Sequence, residues 1–447
     1  MRFVLENFGK VRLADIRVDG ITVLSGPNGC GKSTVSRALT VMQSLLQGVE
    51  SQIVIERARS IFDEIGQILS QAELPVLYFN DARTTVEHCR KYTDRSYWKD
   101  RQAVVRFIWD NLRFRRYDMD DASKFAAFEK QIEPLLPTIA EKVYAVIDTG
   151  DDIYEKFVVN KAFSRAFDAQ AGTFCEPDAQ SLVEMVSDNQ GSCRIKLMRG
   201  RVSEHEGIRG NRALTPVYLE PRHQLDEYAH GGAFRRFRPS WNRYGFGELS
   251  DWDRILYTNP QDDALSLAQV QRQEQVDALV SEMVDLVNGR IEKLDRDLVF
   301  KDLDVSQSVS LLNVASGAKS ISEILRGLTN GTISPSGLLI IDEPESNLHP
   351  EWQIRFAEFL VLLNAKFNMR LLLNTHSPHF LKAISVYADR LERGNVCSYY
   401  NMVSVDSGRM YSTHDVTDHI EEIFKAMTIP YARLVRGESR EPAEQHD

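Results

Sequence analysis

Residues 26–34 of the chain read Gly26-Pro27-Asn28-Gly29-Cys30-Gly31-Lys32-Ser33-Thr34, which is the pattern G-x-x-x-x-G-K-[ST]. The apolar, partly β-branched run Ile21-Thr22-Val23-Leu24 precedes it and predicts a buried strand. The run from Val35 to Met42 follows it and carries apolar residues at helical spacing. Because a strand, a glycine-rich loop and a helix occur in this order, the stretch predicts a loop that cradles phosphate.

All nine loop residues are predicted to bind a nucleoside triphosphate. The three glycines allow the backbone to curl so that its N–H groups point at the phosphates, and the following helix adds the positive end of its dipole. Lys32 is expected to reach the β- and γ-phosphates, and the hydroxyl of Ser33 is expected to bind a metal ion. The predicted cofactors are therefore ATP and Mg²⁺.

A second stretch supplies the carboxylates that a triphosphate site needs. The run Leu338-Leu339-Ile340-Ile341-Asp342-Glu343 is continuously apolar and ends in two acids. Such a run predicts a central parallel strand buried on both faces, and open α/β sheets bind ligands at the carboxyl ends of their strands. Asp342 is predicted to hold Mg²⁺ together with Ser33, and Glu343 is predicted to polarise the attacking water.

Two further positions are predicted to complete the site. The stretch from Met369 to Ser377 is another apolar run with a polar end, and it follows the acidic strand after one predicted helix. His376, at that end, is expected to contact the γ-phosphate or the water. Ser316 and Gly317 precede an amphipathic run and stand at a helix N-terminus, which binds anions. Taken alone, such a helix start is more often a simple cap.

The totals for the chain exclude several classes of protein. With 447 residues it exceeds one typical core, so we expect two domains or one large domain with an insertion. A net charge of −10 argues against a surface that is basic throughout and binds nucleic acid. The five cysteines are scattered and form no C-x-x-C pair, which favours neither a zinc site nor disulfides. The charged N-terminus lacks a signal-peptide core, and no apolar run approaches the ~20 residues of a membrane helix. A cytoplasmic protein without membrane contact is expected.

The order of these motifs resembles that of the ABC-type ATPase superfamily. The glycine-rich loop, Ser316-Gly317-Ala318-Lys319-Ser320, the acidic strand and Asn374-Thr375-His376-Ser377 follow one another as in the soluble branch that includes Rad50, SMC, RecF and OLD-type proteins. The stretch from Asp342 to Pro350 is especially similar to OLD-like ATPases and to the ATPase subunits of two-gene phage-defence systems such as Septu and PARIS. The likeness is strong over residues 1–45 and 310–385 and weak elsewhere.

The resemblance implies a fold and several roles. The fold would be α/β, an ABC-type P-loop ATPase head with a helical insertion and a short C-terminal element. Ser316 and Gly317 match the signature that contacts the γ-phosphate held by the opposite subunit, the segment from Glu345 to His349 matches the D-loop between subunits, and His376 matches the switch histidine. Ala318 stands where a second glycine is common, and no Q-loop glutamine is identified.

The expected domain boundaries follow the motifs. Residues 1–50 are predicted to form the N-terminal part of the head, with a first helix ending near Gln47, and a second helix is predicted over Ile53–Leu69, at the start of the next region. Residues 51–290 would be a mostly helical insertion plus remaining strands such as Pro216–Leu219. Residues 291–390 would complete the head, and residues 391–436 would form a small C-terminal element with a strand pair and the helix Val416–Met427. Residues 437–447 are predicted to be a disordered tail.

The function implied by the resemblance is ATP binding and slow hydrolysis by heads that dimerise face to face or assemble into a larger homo-oligomer. Only about 70 residues follow His376, too few for the Toprim nuclease of OLD proteins, so the expected partner is a separately encoded effector, a nuclease, in antiviral defence. The alternative is a DNA-binding ATPase of the RecF or Rad50 kind in DNA repair or chromosome maintenance. The stretch from Phe234 to Tyr244 interleaves arginines with aromatics, which suits DNA, a protein partner or an ordinary surface. Direct DNA binding therefore stays open.

Overall fold

The computed structural model describes residues 1–74, 86–112, 122–176, 178–187, 191–209, 214–219, 289–294, 297–305, 307–310, 314 and 316–436, with five further positions between 274 and 281. The predicted tail over residues 437–447 and the arginine-aromatic stretch over residues 234–244 lie outside these ranges. Within them, no helix combines the length and the hydropathy needed to cross a membrane.

The described elements come in blocks: three strands, six helices and seven strands are followed by a region in which helices and strands alternate. The strands are β1 Arg2–Phe8, β2 Val11–Arg17, β3 Ile21–Ser25, β4 Ser181–Ser187, β5 Gly191–Met198, β6 Arg201–Glu206, β7 Pro216–Leu219, β8 Gly289–Leu294, β9 Asp297–Asp302, β10 Val309–Ser310, β11 Leu338–Asp342, β12 Arg370–Thr375, β13 Cys397–Ser404 and β14 Tyr411–Asp415. The helices are α1 Lys32–Gln71, α2 Val86–Thr93, α3 Arg101–Leu112, α4 Ala122–Ile132, α5 Leu136–Asp148, α6 Asp151–Ala166, α7 Ser316–Thr329, α8 Pro350–Phe367, α9 Pro378–Arg390 and α10 Glu421–Arg436.

Eleven of the described strands form one mixed sheet in the order β6-β5-β4-β1-β2-β14-β13-β3-β12-β11-β7. The five strands from β13 to β7 in that order run parallel to one another, whereas neighbours from β6 to β2 pair antiparallel. Strand β14 joins the two blocks, since it is antiparallel to β13 and parallel to β2. The α/β fold predicted from the sequence is therefore confirmed, with the phosphate-binding loop between β3 and α1.

Four strands of the parallel block, β3, β7, β11 and β12, are buried on both faces, which explains why their sequences are largely apolar. Every residue of β3 and β11 is buried, and α7, α8 and α9 contribute side chains to the same core cluster. Each large side chain buried there, such as Phe359 or Phe380, contributes roughly 1.5–3 kcal/mol. The parallel register sets Asp342 opposite Asn374 and Thr375 opposite Ser25. The carboxyl ends of β3, β11 and β12 therefore meet at one rigid edge.

Helix α1 differs from the sequence prediction. We predicted one helix ending near Gln47 and another over Ile53–Leu69, but the structure has a single helix of 40 residues. Gly48 in a helix interior costs only about 1 kcal/mol relative to alanine, and the nearby apolar residues Leu46 and Val49 are buried. Burial of the flanking apolar residues therefore outweighs the weak helix propensity of one glycine.

The C-terminal strands form the predicted pair and also belong to the main sheet. Strand β13 pairs parallel with β3, and β14 pairs parallel with β2. The helix that we predicted over Val416–Met427 begins later, at Glu421, because residues 417–419 form a separate 3-10 turn. The strand of the phosphate-binding loop thus has a neighbour on each side, β12 and β13.

Contacts divide the chain into two units, residues 1–47 with 163–447 and residues 48–162. The first unit contains the sheet and the helices that cover its parallel block. The second unit is helical and has its own core, centred on aromatic side chains. The ring of Phe107 lies 4.6 Å from that of Tyr92, 5.0 Å from that of Phe62 and 5.3 Å from that of Trp98, measured between centroids.

Candidate functional site

The loop of residues 26–34 lies at the carboxyl end of β3 and leads directly into α1, which begins at Lys32. The side chain of Lys32 is folded back over the loop and is only 6% exposed. Its Nζ donates hydrogen bonds to the carbonyl oxygens of Gly26 at 2.9 Å and Pro27 at 3.0 Å. Backbone carbonyls satisfy the ammonium only with partial charges, so a phosphate presented to this loop is a stronger partner for it.

Gly31 is a loop position that does not tolerate a side chain. Its φ is +104°, in the region that favours glycine, and a Cβ built on it would lie 2.6 Å from Cγ2 of Val11. The neighbouring Cys30 is buried, and its Sγ lies 3.9 Å from Nζ of Lys32. Burial raises the pKa of the Cys30 thiol, although the Lys32 ammonium offsets part of this effect. Cys30 therefore fills the loop as a neutral, closely packed side chain.

Asp342 ends β11 and is held by hydrogen bonds from both neighbouring strands. The hydroxyl of Tyr218, on β7, donates to its Oδ2 at 3.1 Å, and the amide of Asn374, on β12, donates to its Oδ1 at 3.0 Å. The same amide donates to Oγ of Ser36 on α1 at 2.8 Å. The acidic strand is thus connected to the helix of the phosphate-binding loop through one side chain, and the Asp342 carboxylate has a fixed orientation.

Three of these contacts were not among the residues predicted from the sequence. Asn374, Ser36 and Tyr218 are neither phosphate ligands nor acids, so no motif identifies them. One sequence feature could have identified Asn374, namely a polar residue at the end of an apolar run. Asn374 follows the apolar run of β12 and is fully buried. A buried polar side chain needs a hydrogen-bond partner, and the carboxylate opposite it in the register is the natural one.

Glu343 has the backbone conformation of a strained position. Its φ is +50°, which is uncommon outside glycine, and its N–H donates to the carbonyl oxygen of Asn374 at 2.9 Å. Its side chain is partly exposed and accepts a hydrogen bond from Oγ of Ser346 at 3.0 Å. Strain of this kind is common at functional sites, which favours the role in water activation predicted for Glu343.

His376 immediately follows β12 and faces two carboxylates. Its Nδ1 lies 3.9 Å from Oε1 of Glu343 and 3.4 Å from Oε1 of Glu345. The two predicted catalytic residues, Glu343 and His376, are therefore neighbours in the structure, at the same edge as the phosphate-binding loop. Glu345, which the resemblance assigns to a loop between subunits, is buried against its own chain and bonded to the segment that carries His376.

Ser316 and Gly317 are the first residues of α7, as predicted. Ala318 and Ile321 on the first turns of this helix are buried and fix it against the core. Contact of Ser316 and Gly317 with a γ-phosphate stays a prediction, as do the roles of the other site residues. The described residues contain no cluster of histidine, cysteine and acidic side chains with metal-binding geometry.

The available ligands fit Mg²⁺ with a triphosphate better than a softer metal. Asp342 offers a carboxylate and Ser33 a hydroxyl, and oxygen ligands of this kind suit Mg²⁺, which also keeps several waters and phosphate oxygens. Asn374 and Tyr218 orient the carboxylate. The buried Lys32 ammonium lies at the start of the same helix as Ser33. The site thus provides an anion cradle with one anchored carboxylate beside it.

One protein family matches part of the chain. Residues 198–382 match the family described as "AAA domain, putative AbiEii toxin, Type IV TA system". This range includes Asp342, Glu343 and His376 and excludes the loop of residues 26–34. Among curated proteins, none matches the chain. Together with the loop between β3 and α1, the family match supports a P-loop ATPase.

Similar solved structures include two SMC heads. The "SMC head domain from Thermotoga maritima" is 13% identical, with a TM-score of 0.37, and the match covers 93% of this chain and 98% of that chain. A second structure, of an SMC head bound to the C-winged helix domain of ScpA, is 10% identical, with a TM-score of 0.40, and the match covers 95% of this chain and 98% of that chain.

Proposed function

We propose that this protein is an ABC-type ATPase that binds ATP with Mg²⁺ and hydrolyses it slowly. The observation that carries the proposal is the hydrogen-bonded connection from Ser36 on the loop helix through Asn374 to Asp342. It joins the predicted phosphate cradle to the predicted metal ligand inside one buried network. Lys32 would bind the β- and γ-phosphates, Ser33 and Asp342 would hold Mg²⁺, and Glu343 with His376 would act on the attacking water.

The direct test is nucleotide binding by Lys32→Ala. Removal of the buried ammonium leaves the phosphates without their fixed cation, so we expect the Kd for ATP to rise about a hundredfold or more. Lys425→Ala, at an exposed position on α10, is the matched control and should bind ATP as the wild type does. Isothermal titration with ATP and Mg²⁺ measures both. Unchanged binding by Lys32→Ala would contradict the proposed site.

We further propose that two heads close on two ATP molecules, with Ser316 and Gly317 of one copy facing the γ-phosphate bound by the other. ATP that binds only the closed state stabilises it by about 2.7 kcal/mol at a hundredfold excess over Kd, which shifts a closure equilibrium about a hundredfold. Slow hydrolysis would then make closure a switch. Its output would be control of a separately encoded effector, a nuclease, in antiviral defence.

Glu343→Gln tests closure and hydrolysis together. Loss of the carboxylate that polarises water should lower kcat by about 10²–10⁴ while ATP binding persists, so the variant should accumulate as an ATP-bound dimer. Light scattering with and without ATP measures the dimer. ATP hydrolysis by Glu343→Gln at the wild-type rate would contradict the assignment of the base. A monomer at saturating ATP would contradict the closure.

The DNA-binding alternative predicts a different result with the same protein. An ATPase of the DNA-repair kind should bind duplex DNA with an affinity that falls steeply as salt rises, and DNA should stimulate its ATP hydrolysis. The effector proposal predicts little DNA affinity for the protein alone. It also predicts that a second protein co-purifies from the native host. The sequence feature that suits DNA binding, residues 234–244, lies outside the described residues.

A further inference from the structure

Glu345 makes an unusual set of contacts for an acidic side chain. It is 5% exposed, and its Oε1 accepts hydrogen bonds from Oγ1 of Thr375 at 2.8 Å, from the N–H of His376 at 2.8 Å and from the N–H of Ser377 at 3.1 Å. Its Oε2 has no hydrogen-bond partner among the described residues. Burial of a carboxylate costs free energy unless the group is hydrogen bonded, and here the compensating bonds come from one short segment.

All three donors belong to the junction between β12 and α9. Thr375 is the last residue of β12, and Ser377 is the N-cap of α9, where its Oγ accepts from the N–H of Phe380 at 3.3 Å. His376 is the single residue between them, and its Nδ1 also lies 3.4 Å from Oε1 of Glu345. The backbone of His376 is therefore fixed by the Glu345 carboxylate and by the ends of two regular elements.

Glu345 also belongs to the segment that carries Glu343. The N–H of Glu343 donates to the carbonyl oxygen of Asn374, so the ends of β11 and β12 are tied together by Glu343 on one side and by Glu345 on the other. A hydrogen bond to a charged acceptor is roughly twice as strong as one between neutral groups. A carboxylate at position 345 therefore holds the junction more firmly than an amide of the same shape.

We propose that Glu345 is a positioning residue that holds His376 in register with Glu343. The proposal deepens the proposed ATPase function and rests on it, because the position of His376 matters for turnover only if His376 acts on the γ-phosphate or the attacking water. Glu345 acts through residues 375–377, because its carboxylate is hydrogen bonded to that segment. ATP binding, which depends on the loop of residues 26–34, should therefore be largely independent of Glu345.

A purely structural role makes different predictions. If Glu345 only stabilised the fold, its replacement would loosen β3, β11 and α9 together and would weaken ATP binding as much as turnover. A positioning role confines the change to the junction and to kcat. Glu345→Gln is the informative variant, since it preserves the shape and one acceptor oxygen while removing the charge. Glu351→Gln on α8, whose glutamate forms an exposed pair with Arg355, is the matched control.

The first measurement is amide hydrogen exchange in the nucleotide-free, full-length protein. We expect the His376 amide to exchange about tenfold faster in Glu345→Gln than in the wild type, because its acceptor is weakened, and faster still in Glu345→Ala. Exchange in β3 and β11 should be unchanged, as should all exchange in Glu351→Gln. No acceleration at His376, or an equal acceleration throughout the sheet, would overturn the proposal.

The second measurement separates kcat from nucleotide affinity. Glu345→Gln should lower kcat about tenfold or more, as expected when a catalytic group loses its alignment, while the Kd for a non-hydrolysable ATP analogue changes less than about twofold. An equal loss in both quantities, or no loss in either, would overturn the positioning role. Wild-type protein that binds no ATP would contradict the proposed function, and the exchange measurement would still decide whether Glu345 fixes the junction.

Discussion

The side-chain amide of Asn374 donates hydrogen bonds to two buried polar groups. It donates to Oδ1 of Asp342 and to Oγ of Ser36, and both distances are 3.0 Å or shorter. Asn374→Leu keeps much of the volume and removes both donors. We expect the free energy of unfolding to fall by about 1–3 kcal/mol for each buried acceptor left unpaired. Urea denaturation measures this loss.

Ser36→Ala is the matched variant for that prediction. It removes one of the two bonds and leaves the Asn374–Asp342 contact in place. It should therefore cost less stability than Asn374→Leu, and it should preserve Mg²⁺-dependent ATP binding. If the two variants were equally stable, the hydrogen bond from the Asn374 amide to the Asp342 carboxylate would contribute nothing to stability.

A second prediction at this scale concerns alkaline pH. Burial raises the pKa of the Cys397 thiol from 9.0 to about 11, and burial also raises the pKa of the neighbouring Tyr399 hydroxyl above its ordinary value of 10.0. Both groups prefer the protonated form in the folded protein. The contribution of Cys397 to stability is therefore fully present below pH 9 and is lost as the pH rises through 11.

Cys397→Ala isolates the thiol's share of this loss. A shift of this size corresponds to roughly 2–3 kcal/mol, so the urea midpoint of the wild type should fall more steeply than that of the variant as the pH rises from about 8.5 to about 11. The Tyr399 contribution begins to fall at higher pH, because its ordinary pKa is 10.0, and burial, its largest cause, is retained in the variant, whereas the smaller part that comes from Cys397 is removed. Parallel curves for the two proteins would contradict the raised thiol pKa.

The sequence predicts an element correctly where its residues are compatible with only one environment, such as the buried core. A fully apolar run such as Leu338–Ile341 can only be a buried strand or helix, and its length with the acids behind it favours a strand. Strands β4 and β5 were missed within a region predicted to be mostly helical. In β4 the partly exposed positions include the apolar Leu182 and Val186, so the hydropathy does not alternate along the strand. In β5 the alternation over residues 193–197 is a strand signal that the prediction did not use.

Helix α1 gives a sharp test at the scale of one element. The structure runs the helix through Gly48, where alanine should stabilise by about 0.5–1 kcal/mol because glycine has more backbone entropy to lose. If the helix ended at Gly48, as the sequence predicted, the glycine would act as a left-handed cap and alanine would destabilise instead. Thermal unfolding of Gly48→Ala distinguishes the two by the sign of the change in Tm.

Gly331, which follows α7, is the control for the sign of the stability change at Gly48. Its φ is +75°, and no atom lies within 4 Å of a Cβ built on it, so alanine meets only backbone strain there. Gly331→Ala should lower the stability by about 1 kcal/mol. We expect alanine to raise the stability at Gly48 and to lower it at Gly331. A loss of stability at both positions would favour a break in α1 at Gly48.

For the whole molecule, the order of motifs was predictable and their sheet neighbours were not. The parallel block aligns the ends of β3, β11 and β12, which is why a loop near residue 30 and acids near residue 342 meet. The insertion of β13 between β3 and β14 depends on pairing across nearly the whole chain. No local pattern encodes such a pairing, because β3 and β13 lie far apart in the sequence.

The division into two units leads to the last prediction. The core of residues 48–162 is built from side chains within that range, among them Phe62, Trp98, Phe107 and Ile108. A fragment of this size can bury enough surface to fold by itself. We therefore expect residues 48–162, expressed alone, to give a helical circular-dichroism spectrum and to unfold cooperatively in urea.

Two substitutions show whether the fragment keeps the same core. Phe107 is 3% exposed and its ring lies close to three other aromatic rings, so Phe107→Ala should cost about 3–5 kcal/mol, a large part of the stability of such a fragment, and should lower its urea midpoint strongly. Phe157 is 52% exposed, and Phe157→Ala should cost about 0.5 kcal/mol or less. Cooperative unfolding that responds to Phe107 and not to Phe157 would mean that the helical unit carries its own stability. A fragment with a non-cooperative transition, or one indifferent to Phe107, would mean that its core forms only when the rest of the chain is present.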